Sequence, residues 1–529
     1  MFSEIYFSIT SKISLSYKFF RVGEIVRSKK AILNIAFSLS LQLLLIVSGF
    51  IIPKLLIGTF GSFVNGLTTS ITQFMGYLTL LQSGVGSVVI ASLYKPLSKG
   101  DMERTSSIIN ATTTFFRKIA YITVIYVCVI AMIYPLFLKN GFNYFFIATL
   151  VIIIGIGTFA QYYFGITYQL LLQADQKSYI YSIFQMCSLV LNTILVIVLI
   201  KIGAGIHLVL LGSSMIYLFR PVIISLYIKK KYRININRDP DQKAIEQRWD
   251  GFGHTIAYFI TSKSDIMLIT VFLNLKEVSV YSIYSLVTNG IMMLITTIST
   301  SIQAAFGNMI AKEEYKVLQK SFKYYECLTH IIVITFFTSG AILIIPFVSI
   351  YSSGFNDANY IRPVFAAIMM LAAAVYCIRL PYHTIIKSAG HFKQTRNGAF
   401  IEALINVLFS MLLLHIWGIV GVALGTLLAM VFRTIDYVLY LKNNIIFIKI
   451  GMFIKRVAIS FLNVTVIIVV SKNIHLFEVN NLIEWFGFAA VITIFSFLVT
   501  LSINLVFYRD VVNNLYKFIV GLKKPAKTH

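Results

Sequence analysis

Fourteen apolar segments account for most of this chain, and they fix what it can fold into. They lie near 31–54, 66–94, 117–138, 143–164, 179–200, 206–228, 252–273, 279–306, 325–350, 360–384, 397–416, 418–441, 450–471 and 481–508. A run of roughly 20 apolar residues crosses a bilayer as a helix. Inside hydrocarbon every backbone N–H and C=O must find a partner within the protein, so runs of this length form helices. The expected fold is therefore an all-α integral membrane bundle of fourteen transmembrane helices. Composition agrees: 58% of residues are hydrophobic and 12% are charged, where soluble domains carry about 25%. The net charge of +25 would suggest nucleic acid in a soluble protein. Here the basic residues fall between apolar runs, so the partners expected are membrane lipids and not nucleic acid.

Those basic residues orient the bundle. With the N-terminus inside, 35 of the 45 lysines and arginines fall on cytoplasmic segments and five on the other side (Lys54, Lys139, Lys201, Lys276, Lys472). Positive charge collects on the cytoplasmic face of multi-pass proteins, which places both termini in the cytoplasm. No cleavable signal peptide is expected, and the aromatic and basic stretch 1–30 reads as a cytoplasmic interfacial segment. The remaining boundaries are a six-helix bundle over 31–228, a cytoplasmic linker at 229–250 ("KKKYRININRDPDQKAIEQRWD" and its edges), a second six-helix bundle over 251–445, helices 13 and 14 over 446–508, and a cytoplasmic tail at 509–529.

The two six-helix bundles are related by an internal repeat. Residues 171–221 align with 385–434 so that Asn192 falls on Asn406, Gly212 on Gly425 and Arg220 on Arg433. An even number of spans separates the equivalent elements, so the repeat is parallel, with its axis along the membrane normal. Duplicated bundles of this kind rock against each other and expose a central site to alternate sides. The architecture points to a transporter.

Charged residues inside the spans mark where such a site would lie, because unpaired charge in hydrocarbon is expensive. Arg220 and Arg433 sit about nine residues, or roughly 13 Å, from their cytoplasmic ends. Two readings stay open for them. They snorkel to the interface, with Arg433 also within reach of Asp436 at i+3, or they form a cationic wall facing an inward cavity. Lys263 and Asp265, in "YFITSKSDIML" (258–268), fall near the middle of span 7. They lie two apart on a helix, so each needs its own partner or water. Lys263 is a cavity-lining candidate, and Asp265 a candidate to carry a coupling proton or sodium ion. Arg379 and Arg362 each precede a proline and pair a charge with a break in the helical ladder. Secondary cavity candidates are Asn65 and Gln73 on a polar row of span 2, Lys54 after Pro53, Arg362, and Glu402 as a partner for Arg433.

Enzyme signatures are missing. The chain has no phosphate-binding loop, no G-x-S-x-G and no cluster of metal-ligand spacing, and Cys128, Cys187, Cys327 and Cys377 all lie inside apolar runs. No metal, cofactor or disulfide is expected. A membrane-embedded polysaccharide polymerase or ligase would carry acidic or histidine residues on a sizeable outer loop, which is absent.

The segments "PKLLIGTFGSFVNGLTTSITQFMGYLTLLQSGVGSVVIASLYKPL" (53–97), "LLQADQKSY" (171–179) and "SDIMLITVFLNLKEVSVYSIYSLV" (264–287) resemble the bacterial polysaccharide-biosynthesis flippases. These are Wzx-type O-antigen and capsule exporters of the multidrug/oligosaccharidyl-lipid/polysaccharide (MOP) superfamily. The resemblance covers spans 1–12, with spans 13 and 14 matching fourteen-span members. It implies a bacterial inner-membrane protein that moves undecaprenyl-diphosphate-linked oligosaccharide between leaflets by alternating access, coupled to protons or sodium. It also implies work alongside a polysaccharide polymerase and chain-length machinery. A dianionic diphosphate gives a physical reason for Lys263, Arg220, Arg379 and Arg433 inside the bundle. Spans 1 and 2 lack the arginine cluster of murein-precursor flippases, a departure from that subgroup. An ion-coupled multidrug exporter of the same superfamily is the alternative.

Overall fold

A computed structural model describes residues 25–82, 85–138, 143–235, 238–241, 252–446, 449–472 and 479–512. Residues 1–24 of the interfacial segment expected at 1–30, half of the linker and most of the C-terminal tail lie outside the described residues, while 25–30 open the first helix. Among the described residues the chain is helical, with α1 at Ile25–Gly76 followed by a 3-10 turn at Tyr77–Gln82, α2 at Val85–Lys99, α3 at Met102–Phe137 and α4 at Tyr144–Ala160. A π-helical turn, Gln161–Gly165, joins α4 to α5 at Ile166–Ala174. Then come α6 at Ser178–Lys201, α7 at Ile206–Tyr232, α8 at Phe252–Phe272, α9 at Leu275–Ala311 and α10 at Tyr315–Tyr351. The last six are α11 at Pro363–Ile378, α12 at Leu380–Ser388, α13 at Arg396–Trp417, α14 at Ile419–Asn444, α15 at Ile450–Lys472 and α16 at Leu482–Phe507.

Twelve stretches are long and apolar enough to cross a membrane. The first of them, Ala36–Gln82, is 47 residues long and holds the first predicted span with most of the second. It contains a reversal at Gly61, whose φ of 85° and ψ of 167° break the helix. Side-chain contacts fix the direction of each leg. Before Gly61, Asn34 bonds Tyr179 and Ser48 bonds Thr193, so the first leg runs parallel to α6. After Gly61, Ser70 meets Tyr134 and Phe74 meets Tyr126, so the second leg runs antiparallel to α3. Helix α3 is itself parallel to α6 through the chain of neighbours α4 and α7 (Tyr144 to Met132, Ser214 to Ile153, Gly212 against Leu195). Left-handed φ at the turn is open to glycine at no steric cost, so Gly61 supplies the hairpin. The other predicted span missing from the twelve is α8, which carries Lys263 and Asp265. All fourteen predicted segments thus fall on described helical legs.

Packing follows the repeat. The first leg of α1 packs on α6 as α8 packs on α13, and α3–α4 corresponds to α10–α11. Likewise α4 packs on α7 as α11 packs on α14, and α2 on α5 as α9 on α12. Each half also interrupts one helix at a matching place, at Gln161–Gly165 and at Arg379 between α11 and α12. Helices α15 and α16 flank α10, where the Trp485 indole donates to the Leu343 carbonyl at 3.1 Å.

The halves meet where α1 and its 3-10 extension pack on α8 and α9. Gly66 lies so close to the Leu275 carbonyl that any Cβ would overlap it. Small residues let membrane helices approach to this degree. Polar bonds reinforce the seam at the end that the charge pattern assigns to the outside. Asp357 accepts from the Ser62 backbone N–H at 2.7 Å and from its hydroxyl at 2.6 Å, capping the second leg of α1. The Asn65 amide donates to Ser279 at 2.8 Å, and Tyr360 joins Ser279 to Ser62.

Candidate functional site

A cavity of about 1140 Å³ opens within the first half. Its walls come from both legs of α1 with the 3-10 turn, from α4 with the π turn and α5, and from α6 and α7, with Gly86 of α2, Phe116 of α3 and Phe259 of α8 at the sides. The polar row of span 2 faces it: Asn65, Thr69, Thr72 and Gln73 all line the space. Among the described residues, Arg220 is the single charged side chain of the lining, and no Asp or Glu contributes.

Arg220 is held lightly. One guanidinium nitrogen donates to Gln161 Oε1 at 2.9 Å and the group lies 5.7 Å from the Tyr217 ring, while Nε has no partner. No carboxylate among the described residues pairs with it. Its anchor is the π turn, where the widened helix presents Gln161 inward; such bulges recur at functional sites. Gly165, packed against Pro221, keeps the broken helix and α7 close. Gln73 Oε1 and Asn192 Oδ1 are buried with no partner, and both side chains line the same cavity.

Lys263 lies beside this cavity without lining it. Its Cε sits 3.9 Å from where a Cβ on Gly76 would stand, and Gly76 is part of the wall. No acidic side chain among the described residues pairs with Lys263.

The second half treats the matching residues differently. Arg433 is fully buried and closely held through both terminal nitrogens: it donates to Asp436 at 2.6 Å, to the Thr395 carbonyl at 3.0 Å and to the Tyr437 hydroxyl at 3.0 Å. Its Nε lies 3.4 Å from Glu402, which accepts from Arg379 at 2.6 Å on its other oxygen. Glu402 therefore bridges the two arginines. Arg379 stacks over Tyr376 at 4.5 Å and Arg433 over Tyr437 at 4.1 Å. Two guanidiniums and two carboxylates cancel in charge. Gly398 makes the room, since a Cβ there would strike both Arg433 and Asp436. The structure places Arg379 and Arg433 in this closed network and not on the cavity wall. Neither snorkels.

Asp265 belongs to a separate buried cluster. It accepts from Tyr281 and from Thr426, each at 2.8 Å, on one carboxylate oxygen, while its other oxygen has no partner. Asn406 donates to Thr426 at 2.9 Å and accepts from Ser264 at 2.6 Å. Four helices, α8, α9, α13 and α14, converge on that carboxylate. Oxygen donors around a buried acid suit a proton or a hard monovalent cation.

The remaining candidates sit at the outer seam. Lys54 lies 5.6 Å over the Tyr351 ring, and Arg362 pairs with Glu277 at 3.0 Å, bonding the Asn359 carbonyl as well. Sequence reasoning missed Gln161, Asp357 and a buried triad on which Arg456 of α15 pairs with Glu326 at 2.9 Å while Tyr382 donates to the same carboxylate. Arg456 also stacks 4.8 Å over Tyr508, so the triad ties the last two helices to α10. Polar residues within helices were the available signal for all but Asp357, which lies in a loop; their partners stand 56 to 295 residues away.

No protein-family model and no curated protein sequence matches the chain. Solved structures do. A lipid II flippase, MurJ, in an inward closed conformation aligns with a TM-score of 0.68 at 17% identity, covering 90% of this chain and 100% of that one. An inward-facing multidrug resistance MATE-family transporter of the MOP superfamily aligns with a TM-score of 0.55 at 14% identity, covering 77% and 96%. A MOP-superfamily transporter from Pyrococcus furiosus, described by the reversed polarity of its binding pocket, gives 0.52 at 14%, covering 79% and 94%. This multi-pass membrane protein has the fold of the MOP-superfamily transporters.

Proposed function

We propose that this protein moves an undecaprenyl-diphosphate-linked oligosaccharide across the bacterial cytoplasmic membrane by alternating access. One observation carries the reading: a large cavity inside the first half, lined along one side by the polar row of α1, whose single charged lining residue among those described is an arginine without a carboxylate partner. Guanidinium binds phosphate oxygens through paired donors, so Arg220 with Lys263 beside it supplies the positive field for a diphosphate. A cavity with no carboxylate among its described lining residues disfavours the cationic substrates of a drug exporter. The glycan occupies the polar space while the polyprenyl tail stays in lipid. Packing of α1 on α9 closes the outer end, so the cavity serves the cytoplasmic side in this state, with both termini also there. The protein is a transporter and not an enzyme, and it supplies repeat units to O-antigen, capsule or exopolysaccharide synthesis and its polymerase and chain-length partners.

The second half supplies the drive. Asp265, with its free oxygen and the Tyr281–Thr426–Asn406 hydroxyl and amide neighbours, takes up a proton or sodium ion as the coupling species. Protonation or ion binding neutralises a buried charge and so shifts the balance between two packings of α8 against α13 and α14.

Deletion of the gene in its native host, with analysis of lipid-linked oligosaccharide and surface polymer together, tests the reading. Repeat units stranded on the cytoplasmic side with surface polymer lost would support it. Unchanged polysaccharide with increased sensitivity to cationic drugs would replace it with the exporter.

A further inference from the structure

Around Arg220 the first-half cavity presents a wall that carries no charge. Gln73 and Asn192 hold buried carbonyl oxygens with no partner. The Gln161 amide reaches only Gln169, at a long 3.4 Å. Tyr162 and Tyr217 stand along the same wall. A buried polar atom left unpaired is costly, and native structures keep few of them. The repeat shows that this scaffold can satisfy such groups. Asn406, the mate of Asn192, is bonded through both ends of its amide, and Arg433, the mate of Arg220, is paired with Asp436 and Glu402 and bonded to the Thr395 carbonyl. The second half pairs Arg379 and Arg433 with carboxylates; the first leaves Arg220, Gln73 and Asn192 open on a space of about 1140 Å³. That space exceeds the roughly 300–1,000 Å³ of small-molecule pockets.

We infer that this amide and tyrosine wall is a glycan-reading subsite, separate in task from the cations that take the diphosphate. The inference rests on the proposed function and adds where its selectivity lies. Amide groups that both donate and accept match sugar hydroxyls and N-acetyl groups, which do the same. Tyrosine rings offer an apolar face to the C–H face of a sugar and a hydroxyl at the edge. Gln161 serves both tasks, holding Arg220 through its oxygen and leaving its amide nitrogen to the glycan side. A polar wall of this kind penalises a ligand that lacks the matching groups, because its own groups then stay unpaired. The subsite therefore favours a complete repeat unit over a truncated one.

The test uses full-length protein in proteoliposomes and two probes. One is undecaprenyl diphosphate bearing the host's complete repeat unit, collected from cells lacking this protein. The other is undecaprenyl diphosphate bearing only the first sugar. Translocation is read as protection from periodate, an oxidant that does not cross the membrane. Both probes are read on the same vesicles, so their ratio does not depend on how much of a variant folds. For Gln161→Ala and Asn192→Ala, transport of the complete unit should fall about tenfold relative to the single-sugar lipid, the factor expected for one or two lost hydrogen bonds. Lys263→Gln should lower both probes in proportion. An unchanged ratio in both amide variants would overturn the subsite while leaving the flippase standing. Wild-type protein that moves neither probe would overturn the flippase and the subsite together.

Discussion

Arg220 and Arg433 stand at matching positions in two halves that pack alike, and their surroundings are opposite. Arg433 is buried among Asp436, Glu402, Tyr437 and a backbone carbonyl, whereas Arg220 keeps one amide partner and faces the cavity. Asn406 and Asn192 repeat the contrast, one fully bonded beside Asp265 and the other with a free carbonyl on the cavity wall. A duplicated scaffold has thus been divided. One half pairs its arginines with carboxylates in a closed network, and the other leaves Arg220 without a carboxylate on an open cavity. Stability and binding compete for the same polar groups, and each half resolves the competition its own way.

Breaking the closed network should give the largest effect. Glu402→Leu leaves buried Arg379 with no carboxylate and Arg433 with Asp436 alone, and removing one partner of a buried ion network costs about 3–5 kcal/mol. The expected outcome is a variant that fails to accumulate in the membrane or melts far below wild type in detergent, measured by a thermal unfolding assay. Arg220→Gln should do the reverse, leaving the melting temperature near wild type while transport falls about 10- to 100-fold, the loss of a charge-assisted contact worth about 1.5–3 kcal/mol. If Arg220→Gln unfolds the protein and Glu402→Leu does not, the division between the halves is wrong.

The outer seam gives a smaller and separable effect. Asp357→Asn weakens the cap on the second leg of α1 and should cost this closed state about 1 kcal/mol. A cysteine placed at Thr72, on the cavity wall, should then react faster with an impermeant thiol reagent added from outside. Equal labelling with and without the substitution would remove Asp357 from the closure. Gly66→Ala, forced against the Leu275 carbonyl, should push the same labelling in the same direction.

The fold was legible because it rests on properties each residue carries by itself. Apolar length decided the helices, and lysine and arginine placement decided the sidedness expected of them. The repeat was legible too, since Asn192, Gly212 and Arg220 keep their spacing in Asn406, Gly425 and Arg433. The site was legible only in part. Sequence marked Lys263, Asp265, Arg220 and Arg433 as costly in lipid and named Glu402 as a partner for Arg433, but cost does not say whether a partner or a ligand meets it. That choice depended on Gly398 making room beside Arg433, and on a π turn that brings Gln161 to Arg220 across 59 residues. Asp357 sits in a loop that reads as ordinary turn chemistry; its role comes from Ser62, 295 residues earlier.

The central claim is that substrate binds in the first half and the coupling ion in the second. Its most direct test is the initial rate of lipid-linked oligosaccharide translocation in proteoliposomes, with and without an imposed sodium or proton gradient, for wild type, Arg220→Gln and Asp265→Asn. Wild type should accelerate under one of the two gradients. Asp265→Asn should bind substrate normally yet run at one rate whatever the gradient, and Arg220→Gln should lose binding of the diphosphate lipid. An Asp265→Asn protein that still answers the gradient, or an Arg220→Gln protein that binds as wild type does, would contradict the account.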